Sequence, residues 1–226
     1  MAGKKYRESL ALIDRERLYA ADEAVRLAKE SAKAGFDEAV ELHVRTGLNV
    51  RHAEEQLRGT LQMPHGLGRD VTVAVFARGD DAEAAKAAGA DHVGTEDLAE
   101  KVEGGFTDFD VAIATPEMMP VVGKLGRVLG PSGKMPNPKV GTVTKDVAKA
   151  VTESKAGKVE YRTDNSAIVH LVIGRAGFEE SQLLDNLRAA LDELNRSRPA
   201  AAKGRYIESV AIATTMGPGI KIDPEG

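Results

Sequence analysis

The chain has 226 residues, 42% of them hydrophobic and 29% charged, with a formal net charge of −4 and no cysteine. That length suffices for one large or two modest domains, each with its own core. The lack of cysteine excludes disulfides, thiolate nucleophiles and Cys-ligated zinc, and the mild acidity argues against an avid, non-specific binder of nucleic acid. The longest apolar runs, such as Val71 to Ala77 and Val111 to Ala114, fall far short of the roughly 18 residues of a membrane span. The N-terminus, MAGKKYRESL, is basic with no apolar run behind it. It does not read as a signal peptide, and the cytoplasm is the expected location.

Asp22 to Lys33 reads as a helix with carboxylates at its start, Val25, Ala28 and Ala32 on one face and Gly35 beyond its end. FDEAVELHVR then alternates, Val40, Leu42 and Val44 on one side and Glu41, His43 and Arg45 on the other. Such alternation marks a half-buried antiparallel strand. A second helix is expected over His52 to Arg58. The turn signals of MPHGLGRD, Met63 to Asp70, mark a domain boundary. Beyond it VTVAVFA, DDAEAAKAAGA, DHVG, TEDLAEKVEGG and FDVAIATP alternate strand and helix, the pattern of a parallel sheet with crossover helices.

After residue 150 the antiparallel texture returns. KVEYRTDNSAIVHLVIG reads as two strands around a turn at Asp164 to Ser166, and FEESQLLDNLRAALDELNRSRP as a helix with Leu184, Leu187, Leu191 and Leu194 on one stripe. RYIESVAIATTMGPG is a last strand running into a Gly-Pro-Gly loop. The fold class is therefore α/β and α+β. One α+β domain with an antiparallel sheet is built from both chain ends, residues 1–66 and 161–226, and a Rossmann-like α/β domain, 67–160, is inserted between them.

A parallel sheet raises the possibility of a nucleotide-binding enzyme with a regulatory α+β domain. The turn after its first strand reads ARGDD, placing carboxylates where a pyrophosphate needs bare N–H groups. Gly133-Lys134 and Gly123-Lys124 lack the spacing of a P-loop, and Met135 and Leu125 stand where Ser or Thr would hold magnesium. The five histidines, His43, His52, His65, His92 and His170, show no ligand spacing, so no metal and no cofactor is expected. No nucleophile context such as GxSxG surrounds any serine. Basic chemistry is concentrated instead. Between Glu117 and Asp146 no acidic residue offsets Lys124, Arg127, Lys134, Lys139 and Lys145, and composition alone leaves these lysines either phosphate-facing or merely solvated. TTMGPG offers two hydroxyls, a methionine and glycines that admit a close ligand, or forms a plain turn.

In order and spacing, KLGRVLGPSGKMPNPKVGTVT, MPHGLGR, VEYRTDNSAIVH and TTMGPG resemble the bacterial ribosomal large-subunit protein one (L-one) family, over essentially the whole chain. The resemblance implies a non-enzymatic protein of the ribosomal stalk beside the tRNA exit site, monomeric when free. Its partners would be large-subunit rRNA, exit-site tRNA, whose release it assists, and its own mRNA, which it represses. It also implies that the domain from both termini is the principal rRNA binder. The implied RNA contacts are Phe36, Glu38, Arg162, Asp164, Asn165, Ser166, His170, Thr215, Met216, Gly217 and Pro218. Lys124, Arg127, Lys134, Lys139 and Lys145 form a second, basic loop. The two chain crossings carry Gly66, Gly68 and Gly157, which makes them the expected hinge. The chain departs from the family pattern at Gly35, where a basic residue is common, and at Ser132 and Lys134, which shift one positive charge by two positions.

Overall fold

The computed structural model describes residues 3–200 and 202–224. Helix α1 is Lys4–Leu10, and α2, Ala21–Ser31, buries Ala24, Val25, Ala28 and Ser31 at helical spacing. Strand β1, Ala39–Thr46, buries every second residue, and β2 is Arg58–Gln62. Then come β3 (Val73–Phe76), α3 (Gly79–Ala87), β4 (His92–Gly94), α4 (Glu96–Glu103) and β5 (Val111–Ala114). The short helices α5 (Met119–Val122) and α6 (Gly126–Leu129) precede α7 (Val147–Lys155). Last are β6 (Lys158–Arg162), β7 (Ile168–Arg175), α8 (Glu180–Arg196), β8 (Ile207–Thr214) and β9 (Ile220–Ile222). No helix among the described residues is long and apolar enough to cross a membrane.

The mixed α/β and α+β class read from the sequence holds. Two local expectations change. The helix over His52 to Arg58 shrinks to one 3-10 turn, Ala53–Glu55, and Gln56 is already extended. Here β2 finds ladder partners on β6, and pairing outweighs a weak helical pattern. In α8 the fully buried line is Leu183, Leu187, Ala190 and Leu194, with Leu184 and Leu191 only partly buried. An apolar stripe is wide enough to hold both rows, and packing centres it one residue earlier.

Backbone contacts divide the chain into two compact units, Met1–Gly68 with Val159–Gly226, and Arg69–Lys158. In the first, a sheet of order β7-β1-β8-β9, antiparallel throughout, packs one face on α2 and α8. Val40, Leu42, Val44, Val169, Leu171, Ile173, Val210 and Ile212 meet Val25, Ala28, Leu183 and Leu187 in its core. The register of β1 on β7 skips Ile173, a bulge beside Val40 and Glu41. Asn186, wholly buried on α8, donates to the Ile173 carbonyl at 2.7 Å and the Gly66 carbonyl at 3.1 Å, and accepts from the His65 N–H at 3.1 Å.

In the second unit β3 lies between β4 and β5, all parallel. Alternate residues of β3 face opposite layers. Ala74 and Phe76 pack on α4 and the Met118 to Leu129 segment, whereas Val73 and Val75 pack on α3 and α7 through Ala85, Val147 and Val151. Three layers with both sheet faces covered explain why β3 is continuously apolar.

Candidate RNA-contacting surface

The outer face of the first unit's sheet mixes polar and apolar side chains and is at least partly exposed. Because β1 alternates, Glu41, His43 and Arg45 point away from the core. On one side their register partners are Val172, His170 and Ile168, and on the other Ala213, Ala211 and Ser209. Lys221 of β9 continues the row beyond Ala211.

Two loops converge at the end of the sheet where β1 begins. Phe36 is 57% exposed and Met216 61%. Exposing two such side chains at the head of one sheet runs against burial, and the structure shows what holds them there. Glu38, only 1% exposed, accepts from the Ala34 N–H at 2.8 Å and from the Met216 N–H at 2.9 Å, so one carboxylate ties both loops. Thr215 adds a second tie, its Oγ1 accepting from the Ala39 N–H at 3.0 Å. A Cβ on Gly217 would sit 2.3 Å from Thr214 Oγ1, so the turn closes only with glycine. Beside the loops lies a cavity of about 580 Å³ whose wall includes Lys5, Tyr6, Lys33, Gly35, Phe36 and Met216.

Burial pushes the Glu38 carboxyl up, but the Met216 and Ala34 N–H groups, aided by Thr214 and the charge of Lys5, hold it below its ordinary value. The Thr214 hydroxyl closes no hydrogen bond of good geometry, so the two N–H groups do most of this. A depressed folded pKa contributes stability above the unfolded value of about 4.3, lost as pH falls through the folded one. Glu38→Gln keeps one acceptor but turns an NH₂ toward a donor, and should cost about 1–3 kcal/mol at neutral pH. Urea unfolding from pH 7 down to 3 checks both points: the parent should lose stability in the acid range, and the variant should follow a flatter profile.

At the far end of the sheet the turn between β6 and β7 is an Asx turn. Asp164 Oδ1 accepts from the Ser166 and Ile168 N–H groups, each at 2.8 Å. The Ile168 bond is the main reason the Asp164 carboxyl is held below the usual carboxylate range. Arg162, Asp164, Asn165, Ser166 and His170 are all exposed.

The residues implied by resemblance therefore lie at both ends of one sheet, joined by its outer face. Glu38 and Pro218 are corrections. Both are buried, and Glu38 positions the loops through its bonds to the Ala34 and Met216 N–H groups. Sequence reasoning placed Glu41, His43 and Arg45 on the polar face without assigning them to the surface, and it passed over Lys5, Lys33, Ser209 and Lys221. Alternation along β1 was the available signal. A Cβ at Gly35 would meet open space, and Lys5 and Lys33 supply cations to the same cavity.

In the second unit the basic stretch is not one free loop. Its start is α6, whose Leu129 is core. Lys134 donates to the Thr107 carbonyl at 2.9 Å and lies 5.4 Å from the Phe109 ring centroid. It is a structural cation, while Lys124, Arg127, Lys139 and Lys145 are exposed. The segment 142–144 runs beside β5 through paired bonds between Ala114 and residues 142 and 144. The starts of α3 and α4 carry Asp80, Asp81, Glu96 and Asp97, and Asp97 itself accepts from the Thr95 N–H at 2.7 Å. An incoming phosphate would meet carboxylates there. Among the described residues no group of three or more histidine or acidic side chains is placed to hold a metal ion.

Of the glycines expected at the hinge, Gly66 (φ 64°) and Gly68 (φ 68°) are left-handed. Asn186 holds the Gly66 carbonyl, and a Cβ on Gly68 would lie 2.4 Å from the Phe178 ring. Gly157 (φ 93°) ends α7.

An antiparallel sheet backed by helices on one face, with cations and hydroxyls on the other and an exposed aromatic and thioether in the loops at one end, defines an α+β module suited to RNA. Residues 28–218 match the ribosomal protein L1p/L10e family. The match covers most of the chain, and the chain belongs to that family: it is a ribosomal protein of the large subunit that binds rRNA.

Proposed function

We propose that the chain binds a folded segment of stalk rRNA through the outer sheet face of the first unit and its two flanking loops. There it assists the release of deacylated tRNA from the exit site, with Lys124, Arg127, Lys139 and Lys145 of the second unit facing tRNA phosphates. The same surface, occupied by a mimic of the rRNA site in its own mRNA, would repress translation. The protein acts without a cofactor, on the ribosome in the cytoplasm, and is not an enzyme. The observation that carries this reading is the pair Phe36 and Met216, held outward together by one buried carboxylate. An acidic protein can bind RNA in this way because charges beyond about 8 Å are screened at physiological salt, leaving the local surface to decide.

The test is fluorescence anisotropy with a stalk rRNA fragment, using the full chain and a shortened chain joining residues 1–68 to 159–226. Leu67 is buried in the first unit's core and β2 pairs with β6, so joining at these points keeps that core whole. The shortened chain should retain most of the affinity, with log K falling as log salt rises. A folded shortened chain that does not bind would move the principal site to the second unit. Calorimetric binding of ATP or NAD by the full chain would favour the nucleotide-enzyme reading instead.

A further inference from the structure

His43 and His170 face each other across β1 and β7 with Nδ1 atoms 2.8 Å apart and ring centroids at 5.0 Å. Two imidazoles in this arrangement share one proton between their Nδ1 atoms, because a proton on each would clash. In the neutral pair only the accepting ring carries a proton on Nε2, and the other Nε2 is bare. Yet both outer nitrogens face carboxylates: His43 Nε2 lies 3.8 Å from Glu41 Oε2, and His170 Nε2 lies 3.5 Å from Asp164 Oδ2. One added proton makes both Nε2 atoms donors toward these oxygens while the Nδ1–H···Nδ1 bond persists. A second proton must break that bond.

Every strand packed around the pair shapes its surroundings. On β1, Glu41 is acidic and Arg45 is engaged with Glu208 of β8 at 2.9 Å. The turn before β7 contributes Asp164, with Arg162 at the end of β6, while the nearest β8 partner of His43 is the neutral Ala211, with Lys221 of β9 beyond it. With the pair neutral, only one of the two carboxylates faces an Nε2–H. Desolvation first, and then His170, keep His43 below the ordinary histidine range, with Glu41 opposing. A polyanion laid over the pair supplies the attraction that favours its charged form.

We propose that the His43–His170 pair is a one-proton site on the RNA-contacting surface, whose cationic form the RNA phosphate backbone selects, so that RNA binding takes up a proton there. The proposal rests on the reading that this sheet face meets rRNA. In the complex the added proton comes from solvent and occupies the Nε2 that is bare in the neutral pair, so that the Nδ1–H···Nδ1 bond persists and both Nε2–H groups face Glu41 and Asp164.

Two measurements test it. In the free, full-length chain, NMR titration of the imidazole signals should show the two rings titrating as a coupled pair, and His170→Gln should shift the titration of His43. Rings that titrate independently of each other's replacement overturn the proposal. Affinity for a stalk rRNA fragment at fixed salt, measured between about pH 5 and 8, where histidine changes charge, should weaken by up to about tenfold per pH unit as pH rises, the slope of one linked proton. His43→Gln and His170→Gln, each shown folded by circular dichroism, should flatten that slope. A slope that survives both substitutions overturns the proton linkage and leaves the RNA reading intact. No binding at any pH overturns the RNA reading.

Discussion

Replacing Asn186 with alanine should destabilise the protein by on the order of 2–4 kcal/mol, since one buried and two partly buried backbone groups lose their partner, at up to about 1–3 kcal/mol each, and such losses are not additive. The groups are the Ile173 carbonyl, freed from the ladder by the bulge, the Gly66 carbonyl and the His65 N–H. That is a large share of a typical stability of about 5–15 kcal/mol. Asn186→Asp should cost as much, because a carboxylate accepts from His65 but confronts two carbonyl oxygens. Asp185, the neighbouring residue, pairs with His65 at an exposed site, and its replacement by alanine should cost no more than about 1 kcal/mol. Urea unfolding midpoints at constant slope distinguish these outcomes. An unchanged midpoint for Asn186→Ala would mean that water or rearranged backbone satisfies those groups equally well.

The second large effect concerns binding and not folding. Phe36→Ala and Met216→Asp should each weaken affinity for a stalk rRNA fragment roughly 5- to 150-fold, the equivalent of about 1–3 kcal/mol for a lost contact with a base or sugar. Both side chains are mostly exposed, so thermal unfolding should be nearly unchanged, which separates the two kinds of residue at this end of the sheet. Glu38→Gln loosens the loops from beneath and should lower stability, whereas Phe36→Ala removes the contact and leaves the loops in place. Because phosphate contacts make affinity steeply salt-dependent, comparisons hold only at one salt concentration. Parent-like binding by both variants would relocate the site toward the Asp164 turn.

Much of this was legible in the sequence by itself. Alternation in Val40, Leu42 and Val44 determined which face of β1 is core, and the uninterrupted apolar run of β3 determined a strand covered on both sides. ARGDD ruled out a dinucleotide turn, and the four ordered motifs pointed to the family that residues 28–218 match. These are local properties, set by side-chain period and backbone chemistry within a few residues. What tertiary structure alone decided involves partners far apart in the chain. Glu38 looks like any polar residue at a strand entrance, and becomes a buried pin because Met216, 178 positions later, brings its N–H to the carboxylate. Lys134 is indistinguishable by composition from Lys139, yet Thr107 and Phe109 claim it for the core unit. Asn186 sits in an apolar helical stripe as an apparent exception, and only the bulge at Ile173 supplies the carbonyl that explains it. His43 and His170 are 127 residues apart, and antiparallel register alone brings their Nδ1 atoms within hydrogen-bonding reach. Period and propensity act through neighbours along the chain, whereas the burial of a charge, the pairing of a proton and the exposure of Phe36 depend on which distant backbone groups the fold brings within hydrogen-bonding reach.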